Sequence, residues 1–265
     1  MKVTEEKLKA IVMKKLFFIF ILAIAYLLYS CASIGFDRGQ IKEDSQIKVQ
    51  IDDAEIEKNL SQKPQVKFPI RIGVYLMEGN NSKHWRFDST DKQSLLSIEE
   101  GLIKKGVVSQ IFYISESIGY VGTSKDYATT KKGEYTKNQP LDLKKIRRLA
   151  SKYGADCVLL VKGGNYMEED SNVFSILYAT IIGLWIVPGS IRNSLFVVNA
   201  SMWDVRNEFL YLTAEAEAEE KITRPYGFLN EKDLIKRTKD KAFESLKIEL
   251  EKRISNLKAS ASGTL

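Results

Sequence analysis

The chain has 265 residues, 44% hydrophobic and 28% charged, with a formal net charge of +6. That is the make-up of a globular protein long enough for one sizeable core or two small ones. Residues 1–30 hold five Lys and two Glu, so the remainder carries 35 basic and 32 acidic side chains, a net +3 that is too even to argue for nucleic acid.

In chain order, Met13-Lys14-Lys15 precede an unbroken apolar run, Leu16–Tyr29, followed by Ser30 and Cys31. A basic start, an apolar middle and a small residue before a cleavage point are the layout of a secretory signal over residues 1–30. Its proportions fit a start at Met13, with residues 1–12 as a mis-called extension. The apolar run is short of the roughly twenty residues a spanning helix needs. The tetrad Leu28-Tyr29-Ser30-Cys31 resembles the lipobox of bacterial lipoproteins, in which the cysteine thiol receives a diacylglycerol, the signal is cut before it and the new N-terminus is acylated. Tyr29 departs from that pattern, being larger than the usual residue there. The resemblance implies attachment to a membrane by covalent lipid (palmitate among its acyl chains) at Cys31, leaving Cys157 with no intramolecular partner. Ala32-Ser33 follow, and the lack of an Asp there favours the outer over the inner membrane where the enteric sorting rule applies.

Residues 31–65 are polar, with few aromatics, and read as a flexible lipid-anchored tether holding one short helix near Asp52–Leu60. A globular domain is expected over 66–257. Phe68–Leu76 reads as a buried strand with Pro69 at its start, where no ladder donor is needed. Thr90 or Asp91 caps a helix to about Lys105, with Leu95, Ile98, Leu102 and Ile103 at helical spacing and Gly106 as its stop. Val107–Ser115 is a second strand and Ser117–Pro140 a long polar loop. Leu141–Tyr153 is a helix stopped by Gly154, and Ala155–Val161 a third strand. This β-α-β-α-β order argues for parallel strands. Val173–Val187, Asn193–Val205 and Glu208–Ile222 then read as an antiparallel meander with turns at Pro188-Gly189 and Asp204–Asn207. Asn230–Leu257 is an amphipathic helix carrying Leu234, Ala242, Phe243, Leu246, Leu250 and Ile254, and 258–265 a polar tail. The fold class is therefore α/β (α+β-like), with one mixed sheet and helices packed on it.

Six features invite a functional reading. Val173–Val187 is the most apolar stretch after the signal. It reads as a covered central strand pair with a bend at Gly183, or else as a surface for membrane or partner contact. Ala214–Glu220 alternates strictly, which puts Glu215, Glu217 and Glu219 on one face of a strand as a solvated stripe or a partner surface; their spacing lacks the convergence of a metal cage. Lys125 and Lys131–Lys137 form a basic loop with Tyr135. His84 lies in a polar loop beside Trp85 without a Gly-x-Ser-x-Gly elbow, and reads as a surface residue. Cys157 reads as a small core residue. Gly163-Gly164 follow a strand into an expected hairpin and make no phosphate loop.

Ser175–Gly183, Asn193 and Ala200-Ser201-Met202-Trp203-Asp204-Val205, with the strand Pro69–Val74 and the lipobox, resemble the rhombotarget lipoprotein family, bacterial lipoproteins of unsettled biochemical role. The element order is also similar to the small domains of outer-membrane lipoproteins that activate peptidoglycan synthases. The resemblance implies residence in the cell envelope and supplies no catalytic residues. The sequence therefore points to a membrane-tethered, non-enzymatic binding or scaffolding protein with an envelope protein partner, no cofactor, no metal and no nucleic acid. Two other functions stay open: a protein activator of an envelope enzyme, and a carboxylate-dependent hydrolase using residues such as Glu168, Glu169 and Asp170.

Overall fold

The computed structural model of the chain describes residues 36–39, 41, 53–79, 84–115 and 143–261. Cys31, Leu28, Tyr29, Ser30 and the whole of 117–140, with the basic loop around Lys131, lie outside them. The elements in chain order are α1 (Asp53–Ser61), β1 (Ile70–Glu78), α2 (Ser89–Leu96), α3 (Glu99–Lys104), β2 (Val108–Tyr113), α4 (Leu143–Lys152), β3 (Cys157–Ser171), a 3-10 helix (Val173–Ala179), α5 (Gly183–Ile186), β4 (Ser190–Asp204), β5 (Leu210–Arg224), a 3-10 turn (Tyr226–Phe228) and α6 (Glu231–Ala261). The strands form one mixed sheet in the order β2-β1-β3-β4-β5. β1 runs parallel to both β2 and β3, pairing Ile72 with Ile111 on one side and with Cys157 on the other. A turn of only five residues, 205–209, joins β4 to β5, which makes that pair antiparallel.

The helix stops are where the sequence puts them. Gly106 and Gly154 have φ of +64° and +69°, the left-handed conformation in which a Cβ is penalised. The first helix differs from expectation: it is broken into α2 and α3, and its cap is Asp88. The Asp88 carboxylate accepts from the backbone N–H of Thr90 and Asp91, and the Asp91 side chain accepts from the Asp88 N–H, closing a capping box. Ile103, expected in the apolar stripe, is exposed, because the break turns its face outward.

The chain divides into two compact units. Of the described residues, the larger holds those within 38–166, 194–220 and 232–261, and the smaller holds 36–37, 167–193 and 221–231. In the larger unit, Ile146 and Ala150 of α4 pack on Val158 and Leu160 of β3 with Ile114 and Ala155. A ladder of edge-on aromatic rings, Trp85 with Phe87 and Phe196 and then Phe87 with Phe243, packs the loop before α2, β4 and α6 together at centroid separations of 4.8–5.4 Å. Gly163 lies inside β3, where a Cβ would come within 3.0 Å of Trp85, Phe87 and Phe196. The hairpin expected at Gly163-Gly164 is thus absent, and the glycine marks a place where rings press on the strand. Of the stretch expected as a tether, Arg38 pairs with Glu217 and Glu219, and Ile41 is buried with its carbonyl accepting from the Tyr166 hydroxyl.

One buried ion group fastens this unit. Lys239 of α6 donates to Asp91 Oδ2 at 2.6 Å, Asp88 Oδ2 at 3.1 Å and the Arg86 carbonyl at 3.2 Å. Lys239 and Asp91 are both almost wholly buried. Burial favours the neutral amine, but the two carboxylates outweigh it and hold the Lys239 pKa above its ordinary 10.5. The stability Lys239 adds is lost as the pH rises from 10.5 through the higher folded-state value, and on the acid side it goes as the carboxylates protonate, Asp91 above the usual carboxylate range because it is buried. Lys239→Ala, which strands a buried carboxylate, is expected to cost about 3–5 kcal/mol in urea unfolding. The double replacement Lys239→Met with Asp91→Leu should recover much of that loss. A double variant no more stable than the single would show that the charge pair itself holds the fold.

An exposed apolar loop as the candidate functional site

The smaller unit is built around the loop 172–189. β3 and β4 are each fifteen residues long, and their ends meet where the Asn172 N–H donates to the Gly189 carbonyl at 2.9 Å, so the two strands form one antiparallel hairpin. The expected strand pair over Val173–Val187 does not form. The segment folds instead as a seven-residue 3-10 helix and the single turn α5. Two features bar a strand here. The run lacks period-two alternation, and its polar side chains take over backbone groups that a ladder would need.

Asn172 caps the 3-10 helix by accepting from the Phe174 N–H, and its amide donates to the Pro188 carbonyl at 2.8 Å. The Tyr178 hydroxyl accepts from the Gly189 N–H and the Ser190 hydroxyl at 2.8 and 3.0 Å, and donates to the Val187 carbonyl at 3.1 Å. Thr180 Oγ1 donates to the Leu177 carbonyl and accepts from the Gly183 N–H. A Cβ on Gly183 would fall 1.9 Å from the Leu177 carbonyl oxygen, so only glycine fits that corner. In the same unit, the buried Arg192 guanidinium meets Glu169 at 2.9 Å and Glu231 at 3.5 Å.

With several of its polar groups paired to its own backbone, the loop presents its apolar side chains outward. Phe174, Ile176, Ile181, Ile182, Trp185 and Ile186 are all more than half exposed, Ile181 reaching 81%. Tyr226 and Phe228 of the neighbouring turn add to them, with Phe228 edge-on to Trp185 at 5.6 Å and Tyr226 against Tyr178 at 6.5 Å. No charged residue occurs from Ser171 to Ile191. Full burial of each such side chain is worth about 1.5–3 kcal/mol, and leaving a contiguous set of them in water forgoes on the order of 10 kcal/mol. Patches of this kind on folded proteins mark contact surfaces. Of the two readings of this stretch, the covered core fails and the exposed surface stands.

The other candidates behave differently. Glu215, Glu217 and Glu219 do share the exposed face of β5 while Ala214 and Ala216 are buried, as the alternation requires. Arg38 forks across Glu217 and Glu219, so the stripe is partly neutralised within the chain. A cavity of about 500 Å³ lies beside it, lined by Arg38, Gly39, Glu215, Ala216 and Glu217. Among the described residues no group of three His, Cys, Asp or Glu side chains is placed to hold a metal ion. A second cavity, about 600 Å³, includes Arg147 and Arg206 in its wall. Both are already engaged, Arg147 with Glu208 and the Asp204 carbonyl, Arg206 with Asp156. Glu168, Glu169 and Asp170 are consecutive on β3, which sends Glu169 to the opposite face from the other two, and Glu169 is held by Arg192. His84 is exposed. Cys157 is fully buried, and that burial, aided by the nearby carboxylates of Asp204 and Asp156, pushes its thiol up and away from reactivity.

No protein-family model matches the chain, and no curated protein does. Solved structures with a similar fold include a neuraminyllactose-binding hemagglutinin homologue from Helicobacter pylori (TM-score 0.36, 12% identity, 77% of this chain and 96% of that one). They also include lipoprotein GNA1162 from Neisseria meningitidis (0.29, 13%, 65% and 94%) and the C-terminal domain of LpoB from Escherichia coli (0.28, 10%, 62% and 92%). At that level of similarity none of them bears on what this chain does.

A core strand and a surface loop respond oppositely to polar substitution. Replacing Ile181, Ile182 and Ile186 together by Ser should change stability by less than about 1 kcal/mol, since exposed positions away from special features are near neutral. The same variant should lose most of the fluorescence of an apolar dye bound to the native protein. A loss of several kcal/mol in denaturant unfolding, the usual result of truncating buried Ile, would show that these side chains are core.

Proposed function

We propose that this chain is a cell-envelope lipoprotein, anchored through diacylglycerol on Cys31 and acting by binding and not by catalysis, with the outer membrane as its residence. The observation that carries the binding role is the charge-free apolar loop 173–187, left exposed while Tyr178 and Thr180 bond its own backbone. A loop kept only to connect β3 to β4 would be expected to be polar. The signal and lipobox at 13–31 support the anchor.

Mass spectrometry of the mature N-terminal peptide tests the anchor. It should begin at Cys31 and carry diacylglycerol and an N-acyl chain, and Cys31→Ser should accumulate with its signal attached. A wild-type chain retaining residues 14–30 would overturn the reading. The binding role is read separately in cells. The Ile181, Ile182 and Ile186 to Ser variant should be processed and as abundant as wild type yet reproduce the phenotype of deleting the gene. Full activity of that variant would place the function elsewhere on the chain.

A further inference from the structure

We infer that the occupant of the apolar loop is the lipid bilayer itself: the loop 173–187 with Tyr226 and Phe228 dips into the interface of the membrane that holds the lipid anchor. The inference rests on the lipidation of Cys31 proposed above and adds what the loop is for.

Reach is the first argument. Phe36 and Asp37 belong to the same compact unit as 167–193 and 221–231. Cys31 lies five residues before Phe36, and a fully extended chain covers at most about 3.3–3.6 Å per residue. A lipid on Cys31 therefore holds Phe36, a residue of this unit, within roughly 18 Å of the bilayer surface, whatever path the intervening residues take. A partner protein would have to seek out the loop, whereas the membrane is already beside it.

Polar bookkeeping is the second. A non-helical loop enters a lipid interface only if its backbone groups are satisfied from within. Here Asn172, Tyr178 and Thr180 do part of that work, taking the Pro188, Val187 and Leu177 carbonyls and the Phe174, Gly183 and Gly189 N–H groups. A docking site for a protein gains from polar groups left free to bond the partner, and this loop spends them on itself.

Side-chain chemistry is the third. Ile181, Ile182 and Ile186 supply apolar depth, while Trp185 and Tyr226 are the amphipathic rings that favour the headgroup boundary. No helix among the described residues is long and apolar enough to cross a membrane, so the loop lies in one leaflet. The exposed charges flanking these segments in the chain are mixed, Lys221 and Arg224 against Glu169 and Asp170. Insertion driven this way depends on apolar burial and little on anionic lipid or salt.

Trp185 is a built-in reporter, because Trp85 is buried and Trp203 is half-buried. The mature lipidated protein is reconstituted into phosphatidylcholine vesicles, with and without phosphatidylglycerol, whose acyl chains carry bromine near the headgroup. The expected result is quenching of Trp185 emission by the bromines, shielding of the same emission from aqueous iodide, and no dependence on phosphatidylglycerol. Trp185→Phe should remove the quenched component. Ile182→Asp with Ile186→Asp, both at exposed positions, should keep the fold but abolish bromine quenching and restore iodide access. Iodide access in wild type equal to that of the double Asp variant overturns the proposal. So does shielding that rises with protein density and lacks bromine quenching, which would make the occupant a second copy of the chain. The N-terminal mass of the same sample reads lipidation independently, so an unquenched Trp185 on a lipidated chain overturns insertion alone.

Discussion

The larger unit depends on a single ammonium group. Lys239 sits in the apolar stripe of α6 and is sealed from water, so it must find anionic partners or carry a desolvation cost of several kcal/mol. It finds them in Asp88 and Asp91, the two residues that also close the capping box of α2. One interaction thus sets where α2 begins, which way the loop bearing Trp85 and Phe87 enters, and how α6 packs through Phe243. Helix capping and tertiary packing are one device here. Neither carboxylate can move without exposing the other's partners.

The loop 172–189 solves a related problem by the opposite means. Where Lys239 is a charge made tolerable by partners inside a core, the loop removes charge altogether and satisfies its polar groups with its own Asn172, Tyr178 and Thr180. Both arrangements obey the rule that polar groups cut off from water must be paired. In α6 the water is excluded by protein. In the loop the pairing exists although the surrounding apolar side chains face outward.

Much of the sheet was legible from the chain alone, because its signals are local. Gly106 and Gly154 stop helices by backbone sterics, and Ala214, Glu215, Ala216 and Glu217 alternate across a strand by geometry. Lys239 was missed, although it stands four residues after Ile235 and four before Phe243, on the buried face of the helix. Its partners were not readable, because Asp88 and Asp91 lie about 150 residues away and nothing local pairs them. Tyr226 and Phe228 escaped notice as two aromatics in a short Pro-Tyr-Gly-Phe turn, and the fork of Arg192 onto Glu169 and Glu231 needs the fold to exist.

Val173–Val187 is the most instructive difference, because its composition fits two fates equally. Hydrophobicity states that a side chain will be removed from water, without stating by what. A central strand and a surface loop destined for an apolar medium carry the same Ile, Leu and aromatic content. What separates them is the role of the polar minority. In a strand, Ser175, Tyr178 and Thr180 would be spectators to a ladder. Here Tyr178 and Thr180 replace the ladder, and Gly183 occupies a corner no other residue fits. On the proposed reading, lipid and loop then divide the labour of attachment. The acyl chains fix the protein to the membrane without dictating which face looks down, since a freely rotating anchor carries no orientation. A loop of aromatic and branched side chains beside that anchor supplies the missing constraint, and it does so without a charge that would tie the orientation to the lipid composition.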